Sequence, residues 1–292
     1  MINRSDFVKV FIYPNFDKKN ALSCAMSVCD ILSDAGVELF ADKRYIDEFS
    51  SKNVSLFDLS DVISECDMVI AIGGDGTIIK AVAAASPYDK SVLGINSGRL
   101  GFLATIEHSQ LDLLKNVING NYFVEEHTMM KIKHKSEGTV SEYTAVNDIV
   151  IFRKDTKLGD FSLYINDKLI NEIRADGIIF STPTGSTAHA LSAGGSIIEP
   201  DTDCIEFVPI CSHSLFARPI IFSASNDISV FHSSKLEDVY FTVDGGKNMQ
   251  FLKTDELIVS KSDIKMKLVQ IEGNCFFNTV NKKLMQSIKG ES

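Results

Sequence analysis

Ile72-Gly73-Gly74-Asp75-Gly76-Thr77 stands between an apolar run, Met68 to Ile72, and a helical pattern, Ile78 to Ala85. A buried strand that turns through three glycines into a helix is the repeating unit of parallel α/β sheets. Gly73, Gly74 and Gly76 let an anion lie directly on backbone N–H groups, and a helix starting near Thr77 turns the positive end of its dipole toward that anion. Asp75 is the residue such a cradle does not explain. A carboxylate beside a phosphate is repelled unless it takes a proton from an attacking hydroxyl or holds a metal ion. Asp-Gly is also a good hairpin turn between apolar runs, but the Ala-rich segment that follows has helical rather than alternating spacing.

The segments around this corner continue the alternation. Val8 to Tyr13 reads as a buried strand, and Asn20 to Ala35 as a helix with Leu22, Ala25, Met26, Cys29 and Leu32 on one stripe, closed by Gly36. Val37 to Phe40 is a short strand, Tyr45 to Phe49 a weaker helical segment, and Val92 to Ile95 the strand that follows the Gly-rich unit. Alternating strands and helices imply a parallel sheet, in which ligands sit beyond the carboxyl ends of the strands. At that edge lie the Gly73 to Gly76 loop and a second loop, Asn96 to Phe102. Ser109 opens the last helix of this part, with Leu111, Leu114, Val117 and Ile118 inward and Gly120 stopping it.

From Tyr122 short β-branched and alternating runs dominate: Thr128 to His134, Tyr143 to Phe152, Phe161 to Ile165, Ile178 to Phe180, Ile205 to Ile210, Ile220 to Ser223, Ile228 to His232, Val239 to Val243, Leu257 to Ser260 and Ile264 to Ile271. Asn166-Asp167 is a hairpin signal, and so is Val243-Asp244-Gly245-Gly246. This texture predicts a mostly antiparallel β domain. Phe276 to Ile288 reads as a helix that Phe277, Val280 and Leu284 dock on the body. The expected organisation is a Rossmann-like α/β nucleotide-binding domain over residues 1–121, an all-β, sandwich-like domain over 122–275, and a C-terminal helix and tail over 276–292.

One stretch stands out in the β half. Strand Ile178 to Phe180 runs into Ser181-Thr182-Pro183-Thr184-Gly185-Ser186-Thr187, where five of seven residues carry hydroxyls, followed by the small-residue pattern Ala188, Ala190, Leu191, Ala193. Such a turn suits the hydroxyls and phosphates of a nucleotide; the alternative is that Ser and Thr only cap a helix starting near Ser186.

At 292 residues, 45% hydrophobic and 23% charged, the chain can build two cores. A net charge of −10 argues against nucleic acid or an anionic membrane surface as the main partner. No apolar stretch approaches the roughly 20 residues of a membrane span, and Met1 to Asp6 lacks the pattern of a secretory signal. Cys24, Cys29, Cys66, Cys204, Cys211 and Cys275 form no Cys-x-x-Cys pair and lie mostly in apolar surroundings, which fits reduced thiols in a cytoplasmic protein. The six histidines show no zinc-ligand spacing, and no metal-ligating residue is assigned. The Gly-x-x-x-x-Gly-Lys-Ser/Thr loop, the protein-kinase motifs, the Gly-x-Gly-x-x-Gly fingerprint and the Gly-x-Ser-x-Gly elbow are all missing from the sequence.

Gly73-Gly74-Asp75-Gly76-Thr77, Asn96-x-Gly98-x-Leu100-Gly101-Phe102-Leu103, Asn147-Asp148, and Asp176-Gly177 leading into Thr182 to Ala188 with Leu191 to Gly195 together resemble the NAD kinase family. The first block is shared with lipid kinases and phosphofructokinases; the Thr-Gly-Ser-Thr-Ala block and its flanks are far more specific. The resemblance implies transfer of the γ-phosphate of ATP to the 2′-hydroxyl of the adenosine ribose of NAD, with Mg²⁺ or another divalent cation accompanying ATP, in a homodimer or homotetramer. Asp75 would be the general base or would orient the hydroxyl, with Gly74, Gly76, Thr77 and Asn96 around the phosphates. Asn147 and Asp148 would hold ribose hydroxyls, Phe102 would face the acceptor's adenine, and Asp176, Thr187, Ala188, His189 and Ser192 would line the NAD cleft, with Asp244 nearby. Arg174 resembles the branch of the family restricted to ATP over polyphosphate. Two positions depart from the family pattern: Asp148 stands where Glu is common, and His189 where Tyr is favoured. Two other readings remain open on sequence alone. One is a lipid kinase of the diacylglycerol or sphingosine type, and the other a nucleotide-binding regulatory module without catalysis.

Overall fold

The computed structural model describes residues 9–98, 101–154, 158–214, 217–233, 238–271 and 276–288, with side chains of the last segment up to Lys283. Val8, Arg99, Leu100, Cys275 and the side chain of Leu284, all used in the sequence reading, lie outside the described residues. The chain folds as two compact units, residues 1–126 with 266–292, and residues 127–265.

The first unit opens with β1 (Lys9–Pro14), α1 (Ala21–Asp34), β2 (Glu38–Asp42), β3 (Ser55–Phe57), α2 (Leu59–Val62), β4 (Met68–Gly73), α3 (Asp75–Ala85), β5 (Ser91–Asn96), β6 (Ile106–Glu107) and α4 (Leu114–Ile118). The strands pair in the order β3-β2-β1-β4-β5-β6, all parallel. β4, central in this order, is buried at every position, so its continuous apolar run is what a strand covered on both faces requires. In α1 the structure rotates the expected stripe. Ala21, Cys24, Ala25, Val28, Cys29 and Leu32 face the core, while Leu22 is exposed.

Other local readings are corrected. In place of a helix at Tyr45 to Phe49 there is a single 3₁₀ turn, Lys43–Tyr45, whose Arg44 N–H is capped by the Asp42 carboxylate; strand β3 beyond it was missed. The helix expected from Ser109 starts instead at a Glu107–Gln110 capping box, runs as 3₁₀ over His108–Leu113 and becomes α-helical only in α4. Leu114 and Val117 are fully buried there, and Gly120 ends it at a positive φ of 72°.

The second unit is a sandwich of two antiparallel layers. Its strands are β7 (Phe123–Ser136), β8 (Thr139–Ala145), β9 (Asp148–Arg153), β10 (Gly159–Ile165), β11 (Lys168–Ala175), β12 (Gly177–Ser181), β13 (Cys204–Ile210), β14 (Ile220–Ser223), β15 (Ile228–His232), β16 (Val239–Val243), β17 (Met249–Gln250) and β18 (Glu256–Gln270). One layer runs β14-β13-β12-β9-β16-β17; the other runs β11-β10-β15-β18, with the β7–β8 hairpin also paired to β18. Ile149, Ile151, Ile178, Phe180, Phe207 and Phe241 from the first layer meet Met130, Ile132, Phe161, Leu163, Val230 and Val259 from the second in one core. The outer face of the first layer is covered by α5 (His189–Ser192), whose Ala190 packs with Val150, Ile179 and Val208. The Asn166-Asp167 turn joins β10 to β11 with both residues at positive φ, 51° and 58°, as a tight hairpin demands.

Three expectations change here. Tyr143 to Phe152 is not one strand but β8 and β9, interrupted at Val146-Asn147. Leu257–Ser260 and Ile264–Ile271 are one strand, β18. Its last part, from Met266, belongs to the first unit, where Leu268 pairs in parallel with Val92 of β5. The C-terminal α6 (Phe276–Ile288) buries Val280, whereas Phe277, expected to dock it, is 49% exposed. Among the described residues no helix is long and apolar enough to cross a membrane.

Candidate active site

In the first unit β4 delivers the glycine corner and α3 leaves it. The helix begins at Asp75 rather than near Thr77, with Gly74 before it in extended backbone. Asp75 therefore sits in the first turn, where a carboxylate interacts favourably with the helix dipole. Its oxygens are further held from the loop after β5: Phe102 N–H donates to Oδ2 at 2.9 Å and Leu103 N–H to Oδ1 at 3.2 Å. That embrace requires Gly101, because a Cβ there would lie 2.2 Å from Asp75 Oδ1. Gly73 is equally constrained, a Cβ meeting Thr77 Oγ1 at 2.3 Å. At Gly74 and Gly76 a Cβ would meet nothing within 4 Å. Packing within the protein does not call for glycine at these two positions, and the space over this helix N-terminus is open to a ligand.

Two other residues expected around the phosphates turn inward. Thr77 is buried, and its Oγ1 accepts from Asn15 Nδ2 at 3.3 Å. Asn96 is buried at the end of β5, where its Oδ1 accepts the Gly98 N–H at 3.1 Å and so shapes the turn. Phe102 is half-buried, and one face of its ring is covered by the Lys283 ammonium, 3.8 Å from the centroid. The same Nζ lies 3.6 Å from Asp75 Oδ2. Sequence reasoning missed Lys283, and no local signal marks it: it is one lysine in a Lys282-Lys283 pair on an amphipathic helix.

In the second unit the break between β8 and β9 is made by Asp244. This residue lies in the turn between β16 and β17 at a φ of 48°, a left-handed conformation that Asp tolerates. Its carboxylate accepts three successive backbone N–H groups, from Val146 at 2.8 Å, Asn147 at 2.7 Å and Asp148 at 3.1 Å. Backbone donors freed by the interrupted ladder are thus satisfied by one side chain. Burial raises the Asp244 pKa, and the three N–H groups pull it back down. Asp148, buried next to it, is pushed up to about 7, by burial first and by the Asp244 charge second.

Asn147, Asp148, Asp176, Ala188, His189 and Asp244 line one cavity of about 650 Å³, with Val150, Phe152 and Ile210 as its apolar wall. That is the size of a small-molecule site, and its acceptors suit a ligand that presents hydroxyl groups. Six of the expected dinucleotide residues thus come together. Three do not line this cavity: Arg174 is exposed on β11 with its Nε 3.6 Å from Asp160, Ser192 is exposed at the end of α5, and the Thr187 hydroxyl donates to the Thr184 carbonyl at 3.3 Å.

The hydroxyl-rich loop also differs from its reading. Ser181, Thr182, Thr184 and Ser186 are buried. Thr182 Oγ1 donates to the Val146 carbonyl at 2.7 Å and accepts the Gly185 N–H at 2.9 Å. Ser186 Oγ exchanges hydrogen bonds with Ile198, and Thr184 Oγ1 meets His127 Nδ1 at 3.1 Å. These hydroxyls bind the protein itself. Of these, Thr182, with Ser181 Oγ donating to the Asn147 carbonyl at 3.4 Å, holds Val146-Asn147 from behind, and Gly185 is glycine because a Cβ would strike the Asn147 carbonyl at 2.1 Å.

Two family models match the chain, one described as the ATP-NAD kinase N-terminal domain over residues 10–122 and one as the ATP-NAD kinase C-terminal domain over residues 146–271. The chain is 35% identical over 254 residues to an NAD kinase of Clostridium botulinum, covering 86% of each chain. It is 32% identical over 285 residues to the NAD kinase of Caldanaerobacter subterraneus subsp. tengcongensis, covering 95% of this chain and 99% of that one. Among solved structures, yeast NADH kinase complexed with NADH superposes with a TM-score of 0.87 at 25% identity, over 95% of this chain and 87% of that one. With a parallel α/β unit carrying the glycine corner, a β unit carrying the Asn147-Asp148 cavity, and both halves matched in order, the chain belongs to the ATP-NAD kinase family.

Proposed function

We propose that the chain transfers the γ-phosphate of ATP to the 2′-hydroxyl of the adenosine ribose of NAD, giving NADP and ADP. The observation that carries this reading is the cavity around Asn147, Asp148 and Asp244, an acceptor-rich site for ribose hydroxyls, on a chain that also holds a carboxylate at an open helix N-terminus. The 2′-oxygen attacks the γ-phosphorus, the bond to the β-phosphate oxygen breaks, and the hydroxyl proton passes to Asp75. Because Phe102 and Leu103 N–H groups fix both Asp75 oxygens, the carboxylate meets its substrate already oriented, which lowers the entropic part of the barrier. Backbone N–H groups at Gly74 and Gly76 receive the phosphate charge.

Among the described residues no three His, Cys, Asp or Glu side chains converge on one point. Asp75 is the carboxylate that would hold a divalent cation accompanying ATP, as Mg²⁺ sites often combine one or two carboxylates with substrate phosphates. Such an ion supplies charge neutralisation on the transferred group. The chain is read as a cytoplasmic enzyme, which the buried free thiols Cys24, Cys29, Cys66 and Cys204 favour. It is also read as a homodimer or homotetramer, with Ile221 on edge strand β14, 53% exposed, as apolar surface for a second copy; light scattering would test this.

Purified protein incubated with Mg-ATP and NAD should yield NADP, measured with an NADP-specific dehydrogenase. No product at saturating substrates would exclude the reading. Asp75→Asn should lower kcat by about two orders of magnitude or more while NAD binding by calorimetry stays within about twofold.

A further inference from the structure

The glycine corner, Gly73 to Thr77, has no basic residue of its own. Phosphate-binding loops usually pair their N–H groups with a lysine, because phosphoryl transfer spreads negative charge over the equatorial oxygens of the moving group. In this chain a lysine arrives from the far end. Lys283 Nζ stands 3.6 Å from Asp75 Oδ2 and 3.8 Å from the centre of the Phe102 ring, and the Phe102 N–H itself donates to that same Oδ2. Ammonium, ring and carboxylate thus hold one another. Val280, one helical turn earlier on α6, is buried and anchors the face from which Lys283 projects. At 3.6 Å the contact with Asp75 is an ion pair rather than a fixed hydrogen bond.

We propose that Lys283 is a positioning residue of the phosphoryl-transfer centre. Its ammonium holds Asp75 and Phe102 in register and supplies, beside the loop, the positive charge that the loop lacks. This inference rests on the kinase reading above. It assigns to the C-terminal helix a part in the reaction, not only in packing.

The test compares Lys283→Met, which keeps the stem and removes the charge, with Lys283→Arg, which keeps a cation, and with Lys282→Met on the neighbouring, exposed position of the same helix. Lys283→Met should lower kcat for NADP formation by at least about tenfold, a larger factor than any rise in the KM for NAD that a looser Phe102 brings, because Asp75, which the ammonium holds, acts on the reacting hydroxyl in the transition state. Lys283→Arg should recover most of that loss, and Lys282→Met should behave as the wild type. Should Lys283→Met also lower the unfolding midpoint, the arginine variant decides: normal stability with restored kcat supports the proposal, and restored stability without restored kcat overturns it. An unchanged or raised kcat in Lys283→Met overturns it as well. A wild-type protein that makes no NADP rejects the parent reading instead, so the two failures are distinguishable.

Discussion

The two loops that look most like ligand sites in the sequence are built in opposite senses. At Gly73 to Thr77 the chain removes side chains and leaves open space above a helix N-terminus, with Asp75 fixed beside it. At Ser181 to Thr187 it crowds hydroxyls together and buries most of them on its own backbone. The first loop leaves the space beside Gly74 and Gly76 uncovered by the protein. The second turns its hydroxyls inward, Ser181 and Thr182 onto Val146-Asn147 at the rim of the cavity, Thr184 onto His127 and Ser186 onto Ile198. Polar density is therefore a poor measure of contact with a ligand, and glycine that no packing demands is a better one.

Variants at each loop can break this contrast. Gly74→Ala adds a methyl group where the protein has nothing within 4 Å; stability should be unchanged while the KM for ATP rises by about one to two orders of magnitude, roughly the worth of one lost hydrogen bond to a charged phosphate. An unaltered KM would mean that no ligand uses that space. Thr182→Val should do the reverse. It strands the buried Val146 carbonyl and Gly185 N–H, costing about 1–3 kcal/mol, and should appear as a lower unfolding midpoint in calorimetry. If Thr182→Val left the midpoint untouched and only weakened NAD binding, the hydroxyl would have to face the ligand after all.

A third comparison concerns pH. Asp148 has a folded-state pKa of about 7 against an ordinary 3.8. A group whose pKa is raised on folding contributes stability that is fully present below its unfolded value and lost as pH rises through the folded one. Wild-type stability should thus carry a component that declines between about pH 4 and 7, and Asp148→Asn should remove it, with the difference growing toward neutral pH in denaturant melts. Parallel pH profiles for the two proteins would contradict the burial of that carboxyl.

The same contrast explains how much could be read in advance. The strand-glycine-helix corner, the parallel α/β half, the antiparallel β half and the Asn166-Asp167 hairpin follow from local pattern, and the structure reproduces them. Asn147, Asp148, Asp176, Ala188, His189 and Asp244 line one cavity, but what joined them in advance was motif resemblance, not local pattern. What stayed hidden is non-local. Asn147-Asp148 between apolar runs reads as a bulge or turn as readily as a ligand site, but nothing local shows what makes the break, because the carboxylate that holds it belongs to Asp244, on another strand connection. The role of Gly101 is visible only once Asp75 is seen beside it. Lys283 is the extreme case, a residue defined by its neighbours in space alone. In α1 the error was of degree: Leu22 is the more apolar residue, but it is exposed while Ala21 and Cys24 are buried.

The thiols described as buried have a practical side. Burial drives Cys24 and Cys66 up to about 11 and Cys29 to about 12, and it raises Cys204 as well, so these groups are nearly devoid of the reactive thiolate at neutral pH. Cys211 is exposed, one residue beyond Ile210 in the wall of the cavity around Asn147 and Asp148. Among the described residues, a maleimide dye added briefly at neutral pH would therefore attach at the cavity's edge, turning an incidental surface cysteine into an optical gauge of site occupancy that needs no turnover.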